Sequence, residues 1–205
     1  MEEDYKYKTL ASATTAEYKD RGSRFLAYSY PIFTVKEVKE KLQELKKEHP
    51  RAAHYCFAYR LGNDGTQFRA NDDGEPSGTA GKPILGQIDS AGLTNVLVVV
   101  VRYFGGTLLG VPGLINAYKT VSAQALQAVA VIEKWIEDKF EITFDYPVMS
   151  EVLYLLKQSE ATIYQQDLQL FCNIKAGIPH KHAKEYLERL SEIRGVKITP
   201  LKDEV

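Results

Sequence analysis

The segment Val-Leu-Val-Val-Val-Val at residues 96–101 constrains the fold of this chain more than any other part of it. It holds five valines and one leucine without a polar interruption. A continuous β-branched run of this kind is typical of a strand that is buried on both faces of a sheet. The sequence therefore predicts a central strand at 96–101.

Helical patterns lie on both sides of this strand. Thr34 and Glu37 have the spacing of a capping box, and apolar residues at helical spacing follow them. After the strand, the turn 108–113 opens a second helix, which the pattern extends to about residue 132. We expect Pro112 at the first position of that helix, because its missing N–H costs nothing there.

The last third of the chain alternates between strand and helix in the order βαββαβ. This order is the ferredoxin-like split unit, in roughly seventy residues. The expected strands are 140–146, 161–165, 168–176 and 197–201, and the expected helices are 148–158 and 181–193. The charged stretch 134–139 is the expected linker. We therefore expect an α+β chain with two domains, residues 1–135 and residues 136–205.

The charge balance excludes two classes of protein. The formal net charge is −1. Residues 1–133 hold 16 basic and 15 acidic residues, and residues 134–205 hold 10 and 12. A general nucleic-acid coat or a polybasic membrane-surface protein needs a large excess of lysine and arginine. Any contact with RNA must therefore come from a local patch.

The compartment is predicted from what the patterns lack. The first residues are acidic rather than basic, and no apolar run approaches the ~20 residues that span a bilayer. Cys56 and Cys172 have no CxxC partner, so neither a structural disulfide nor a zinc site is expected. We expect a cytoplasmic chain with two reduced thiols and no membrane contact.

The polar loop 71–81 is the first candidate site. Asp72, Asp73 and Glu75 place three carboxylates within four residues, which could ligate a hard cation such as Mg²⁺ or supply a general base. The alternative is a turn that solvates its own charges, because Asp and Gly are turn formers. His54, beside this loop, is a candidate anion or metal contact.

The glycine turn after the central strand is the second candidate site. Arg102 precedes Gly105, Gly106 and Gly110, and a helix follows. Small residues let a phosphate or carboxylate approach the unpaired N–H groups at a helix start, and Arg102 could add a bidentate contact. The alternative is that the glycines supply positive φ angles and close packing. Neither a Walker loop nor a GxGxxG fingerprint is present.

Two long segments carry a resemblance to a known family. Residues 71–83 (NDDGEPSGTAGKP) and 100–110 (VVRYFGGTLLG) resemble the signature of the YigZ/IMPACT family. Residues 23–25 and 54–60 resemble its other blocks. The chain departs from the family at Pro112, because it has Leu-Gly-Val-Pro-Gly-Leu where the family usually has Leu-Gly-x-Gly-Gly-Leu.

The resemblance implies both a fold and a field of function. It implies an N-terminal domain like domain 2 of ribosomal protein S5 and a ferredoxin-like C-terminal domain similar to domain V of elongation factor G. It also implies a link to translation, because the eukaryotic IMPACT proteins act in control of the translational stress kinase pathway through a partner of that kinase. The bacterial members have no settled activity.

These patterns predict a cytoplasmic, translation-associated binding protein that contacts RNA, the ribosome or a translation partner through its N-terminal domain. Arg102, Tyr103 and Phe104 would supply charge and stacking, with Lys82 and His54 beside them. One alternative is a small enzyme or an anion- or metal-binding protein built on the acidic loop and the glycine turn. The other is a protein-interaction adaptor without pocket chemistry. The patterns specify no cofactor beyond the Mg²⁺ that the acidic loop could hold, and no oligomeric state.

Overall fold

The computed structural model describes residues 5–201, which form two compact units of the α+β class. The N-terminal unit spans residues 7–134. The C-terminal unit spans residues 135–201 together with residues 5 and 6. Each unit buries its own hydrophobic side chains.

The N-terminal unit is built around a five-stranded sheet. Its elements in chain order are β1 (Lys6–Leu10), β2 (Thr14–Asp20), β3 (Ser23–Pro31), α1 (Val35–Glu48), β4 (His54–Leu61), β5 (Gln67–Asn71), α2 (Gly81–Ser90), β6 (Val96–Tyr103), α3 (Gly110–Gln127) and β7 (Val131–Trp135). The sheet has the order β2-β3-β6-β4-β5, with antiparallel neighbours throughout. β1 pairs with β7 in a separate two-stranded sheet.

Strand β6 is the central strand that the valine run predicts. Its side chains alternate between two cores on opposite faces of the sheet. Those that share a core with α2 and α3 are Val96, Val98 and Val100. Those that share a core with α1 are Leu97, Val99 and Val101. Helices on both faces explain why no polar residue interrupts this run.

Helix α1 begins at the predicted capping box. The N–H of Glu37 donates to Oγ1 of Thr34 at 3.2 Å, and the N–H of Thr34 donates to Oε2 of Glu37 at 2.8 Å. A cap of this kind stabilises a helix by about 1 kcal/mol. Val38 and Leu45 of the helix are buried against the sheet. The prediction of this helix and of its start is confirmed.

Helix α3 is shorter than predicted. It ends at Gln127, whereas the sequence pattern extends it to about residue 132. Residues from Val131 onwards instead pair with β1 as strand β7, because a distant strand partner outweighs the local helical pattern. Pro112 is the third residue of the helix rather than the first. The Pro112 nitrogen still lies within the first turn, where a backbone N–H would have no intrahelical carbonyl to bond.

The C-terminal unit follows the predicted order βαββαβ. Its elements are β8 (Glu137–Asp145), α4 (Met149–Gln158), β9 (Thr162–Leu168), β10 (Phe171–Pro179), α5 (His180–Glu192) and β11 (Lys197–Pro200), with a short 3-10 helix at Tyr146–Val148. The sheet has the order β11-β8-β10-β9 with antiparallel neighbours. Both helices share one core with the buried strand residues. The turn between β9 and β10 lies further along the chain than predicted.

The stretch 134–139, expected to be a linker, is strand almost throughout, and only Ile136 separates β7 from β8. The backbone of Ile136 is itself paired. Its N–H donates to the carbonyl of Tyr5 at 2.7 Å, and its carbonyl accepts the N–H of His180 at 2.8 Å. Strand pairing thus satisfies the backbone of this stretch, while the charged side chains of β8 stay partly exposed.

Candidate functional site

An ion pair between Glu75 and Arg102 joins the acidic loop to the end of the central strand. Nη1 of Arg102 donates to Oε1 of Glu75 at 2.6 Å, and the two side chains are only 6% and 3% exposed. The hydroxyl of Tyr118, on α3, donates to the same oxygen at 2.7 Å. The loop, the strand and the helix after the glycine turn therefore meet at one buried carboxylate.

Arg102 is packed inside the N-terminal unit rather than presented to solvent. Its guanidinium lies over the rings of Phe25 and Phe104, 5.3 and 5.7 Å from their centroids. Nη2 donates to Oγ of Ser23 at 3.3 Å, and the buried Nε has no hydrogen-bond partner within residues 5–201. This corrects the expectation that Arg102 reaches a phosphate or RNA from the surface, because Glu75 already compensates its charge.

Asp72 organises its own loop. Its carboxylate accepts the N–H groups of Gly78, Ala80 and Gly81 at 2.9, 3.0 and 2.8 Å. Burial by itself would raise the pKa of Asp72, but these three donors outweigh burial, so its pKa lies below the ordinary 3.8. Because α2 starts at Gly81, Asp72 satisfies the helix start in the way that an N-cap side chain does.

Asp73 and His54 brace the loop against β4. Oδ2 of Asp73 accepts the N–H of Tyr55 at 2.7 Å. Nδ1 of His54 donates to the carbonyl oxygen of Asp73 at 2.8 Å, since a carbonyl can only accept. Nε2 of His54 then lies 3.9 Å from Oε2 of Glu75. His54 is thus part of the loop's own network rather than a free anion contact.

The three carboxylates of the acidic loop do not converge. Asp72, Asp73 and Glu75 each bind different groups of the N-terminal unit. Among the residues that the structure describes, no three His, Cys, Asp or Glu side chains are grouped so that they could hold a metal ion. The three carboxylates therefore do not form one joint ligand set, and each instead holds the loop in place.

Cys56 lies in the buried core next to Tyr118. Its Sγ is 3.3 Å from the hydroxyl of Tyr118 and donates to the carbonyl of Asp72 at 3.0 Å. Burial raises the pKa of the Cys56 thiol and also the pKa of the Tyr118 hydroxyl. Both groups therefore stay protonated near neutral pH, and neither is an activated nucleophile or base.

The glycines of the turn serve packing and backbone geometry. A Cβ on Gly105 would lie 1.9 Å from the carbonyl carbon of Gly22, in the turn between β2 and β3. Gly106 and Gly110 have φ angles of 85° and 73°, and the second of these opens α3. Close approach and positive φ, rather than a phosphate cradle, therefore account for these residues.

Three sequence-predicted residues differ in their availability to a partner. The hydroxyl of Tyr103 lies 3.0 Å from Nδ1 of His49, so its polar end is engaged within the unit. Phe104 is 51% exposed. Lys82 is exposed at the start of α2. Phe104 and Lys82 are thus the two that face solvent.

Sequence reasoning missed three exposed apolar side chains that follow Phe104. Leu108 is 81% exposed, Val111 51% and Ile115 38%. Val111 and Ile115 lie one helical turn apart on α3 and so share one side of it, and Leu108 lies in the turn just before the helix. We call Phe104, Leu108, Val111 and Ile115 the α3 surface.

The sequence does indicate the α3 surface, through a scarcity of charged residues in this part of the chain. Between Asp89 and Glu133 the only charged residues are Arg102 and Lys119, although 26% of the chain is charged. A helix on the surface of a globular unit normally carries charged and polar residues on its outer face. A helix segment that lacks them while facing solvent is unusual, and this could have been recognised before the fold was known.

The fold and the site define a two-unit α+β chain with a buried Glu–Arg pair beneath a glycine turn. The Impact N-terminal domain family matches residues 21–126. IMPACT family member YigZ of Escherichia coli (strain K12) is 33% identical over 184 residues, which cover 89% of this chain and 90% of that protein. The chain belongs to the IMPACT family.

Two further relatives differ in how much of the chain they cover. Protein IMPACT of Homo sapiens is 38% identical over 96 residues, which are 44% of this chain and 29% of that protein. A crystal structure described as that of a hypothetical protein is 30% identical, with a TM-score of 0.75 over 98% of this chain and 99% of that one. None of the helices in the described part of the chain is long and apolar enough to cross a membrane.

Proposed function

We propose that this chain is a cytoplasmic, translation-associated binding protein that docks a protein partner on the α3 surface. The observation that carries the proposal is the run of four large apolar side chains, Phe104, Leu108, Val111 and Ile115, all exposed to solvent. Contiguous exposed apolar groups on a soluble chain mark interaction surfaces. The docking partner would cover them.

The lack of charge favours a protein partner over RNA. Affinity for RNA depends on lysines and arginines that neutralise phosphates. The four residues of the α3 surface include no lysine or arginine, Lys119 is the one charged residue of α3, and Arg102 is compensated by Glu75. The cores of protein–protein interfaces, by contrast, are depleted in charge and enriched in aromatic and large apolar side chains.

Membership of the IMPACT family supports the link to translation. The two signature segments, residues 71–83 and 100–110, are the ones that resemble the IMPACT proteins, and the second of them contributes Phe104 and Leu108 to the α3 surface. The resemblance implies action in translation control through a protein partner. A docking surface inside a signature segment is consistent with that mode of action.

We also assign the two units to the folds that the resemblance implies. Residues 1–135 would form the domain that is like domain 2 of ribosomal protein S5. Residues 136–205 would form the ferredoxin-like domain, a proposal supported by the order β11-β8-β10-β9. In a split βαββαβ unit the last strand pairs with the first, as β11 pairs with β8.

Photo-cross-linking tests the proposed function. p-Benzoylphenylalanine in place of Ile115 is irradiated in cells, and the adducts are treated with nuclease. We expect an adduct that nuclease leaves intact, and its partner should be a ribosomal protein or translation factor. The matched control is the same cross-linker at Ile163, which is 42% exposed in the C-terminal unit. A nuclease-sensitive adduct would instead identify RNA, and equal adducts at both positions would argue against a specific surface.

A further inference from the structure

The charged residues on the stretch of chain that contains the α3 surface are of one sign. No acidic residue occurs between Asp89 and Glu133, and the first turn of α3 contains none. The two charged residues in this interval are Arg102 and Lys119, both cationic. Because Arg102 forms its ion pair inside the unit, Lys119 is the exposed charge nearest in sequence to the apolar side chains of α3.

Lys119 continues the row of exposed side chains along α3. Val111, Ile115 and Lys119 are spaced by four residues each, which places them on one side of a helix. With a rise of 1.5 Å per residue, Lys119 lies about 6 Å beyond Ile115 along the helix axis. A segment that covers Val111 and Ile115 therefore also reaches the ammonium group.

The carboxylates of the acidic loop do not pair with Lys119. Within residues 5–201, Lys119 takes part in no ion pair, and the acidic loop directs its carboxylates to other groups. Asp72 binds backbone N–H groups at the start of α2, Asp73 binds the N–H of Tyr55, and Glu75 binds Arg102. The ammonium group at the end of the apolar row is thus exposed and has no ion-pair partner within residues 5–201.

We propose that the partner segment on the α3 surface is an apolar stretch of protein that carries a carboxylate, which pairs with Lys119. This inference rests on the proposed function and adds the chemistry of the partner to it. Apolar side chains of the segment cover Val111 and Ile115, and an aspartate or glutamate one helical turn further along meets the ammonium group. An acid at this place also provides selectivity, because a basic segment is repelled there.

The experiment measures adduct yield from the cross-linker at position 115 in the full chain, with further substitutions at Lys119. We expect Lys119→Glu to lower the yield about fivefold and Lys119→Gln about threefold, because an exposed ion pair contributes up to about 1 kcal/mol. Lys184→Glu, an exposed helical lysine of the C-terminal unit, is the matched control and should leave the yield unchanged. The cross-linked peptide should contain Asp or Glu.

Ionic strength separates this inference from the proposed function. Raising the salt concentration should lower the yield of the parent chain and leave that of Lys119→Gln unaffected. If Val111→Ser abolishes the adduct while Lys119→Glu does not change it, the docking surface stands and the acidic partner is refuted. If no protein adduct forms at position 115, both proposals fail.

Discussion

The carboxylate of Glu75 and the guanidinium of Arg102 meet at 2.6 Å across 27 residues of sequence, and both lie almost entirely out of water. Tyr118 binds the same carboxylate from α3. One buried acid thus ties together the loop, the central strand and the helix that carries the α3 surface. The Glu75 carboxylate of the acidic loop thus binds groups inside the unit, whereas the α3 surface that faces solvent is apolar.

Glu75→Gln should destabilise the N-terminal unit strongly. It leaves the Arg102 guanidinium buried without a counter-charge, a change that typically costs about 3–5 kcal/mol of unfolding free energy. Hydrogen exchange of the β6 amides measures this loss within the N-terminal unit. The double variant Glu75→Gln with Arg102→Met should regain part of the lost stability, because the uncompensated charge of Arg102 is then removed as well.

The matched control for this pair is Glu17→Gln. Glu17 binds Arg24 at 2.7 Å in the same unit, but that ion pair is exposed to solvent. Its loss should leave the exchange of β6 unchanged, because solvent screens exposed pairs. Equal effects of Glu75→Gln and Glu17→Gln would contradict the account of the buried pair.

The stability contributed by Asp72 should depend on pH. Its pKa in the folded chain is lowered, so the stabilisation is present above the unfolded value near 3.8 and is lost as the pH falls through the folded value. Asp72→Asn keeps the size of the side chain and removes the charge. We expect it to be less stable than the parent chain at pH 7 and to converge with it below pH 3.8 in urea denaturation. A difference that stays constant over this range would exclude the carboxylate as its cause.

Gly105→Ala should disrupt the packing of the glycine turn on the hairpin. Its Cβ would collide with the backbone of Gly22, and relief of such overpacking typically costs about 1–3 kcal/mol. Gly106→Asn is the control, since nothing lies within 4 Å of a Cβ there and asparagine tolerates positive φ. Thermal unfolding should show a clear fall in the midpoint for the first variant and a much smaller one for the second. The reverse order would refute the packing role of Gly105.

Cys56 should resist thiol reagents in the folded chain. Burial raises the pKa of its thiol, so almost none is thiolate at pH 8. Labelling with 5,5′-dithiobis(2-nitrobenzoic acid), followed by peptide mapping, should show modification of Cys56 only after denaturation. Rapid labelling of Cys56 in the native chain would show that its thiol is reactive, which would contradict the conclusion that Cys56 is not an activated nucleophile.

The sequence predicts best the elements that depend on local pattern. The central strand, the capped helix α1 and the order βαββαβ all follow from periodicity and caps, and each is confirmed. The pairing of β1 with β7 does not follow, because no local signal in Val131–Trp135 reveals a partner at the other end of the unit. That unseen partner is also why α3 is predicted too long.

The candidate site is harder to predict for the same reason. Arg102 and the acidic loop are both recognisable in the sequence, but nothing in the spacing shows that Glu75 neutralises Arg102. The register of β6 does hold a clue, because Arg102 alternates with Val98 and Val100 and therefore faces the core of α2 and α3. The α3 surface is defined by the solvent exposure of its apolar side chains, and the only sign of this in the sequence is the lack of charged residues around them.

A cross-linker scan of single exposed positions tests the central claim most directly. p-Benzoylphenylalanine is placed in turn at Phe104, Leu108, Val111 and Ile115, and as a control at Phe68, which is 56% exposed on β5 of the same unit. The account predicts one protein partner, linked to translation, that is captured from the four positions of the α3 surface and not from Phe68. Capture of that partner from Phe68 and from none of the four positions would contradict it.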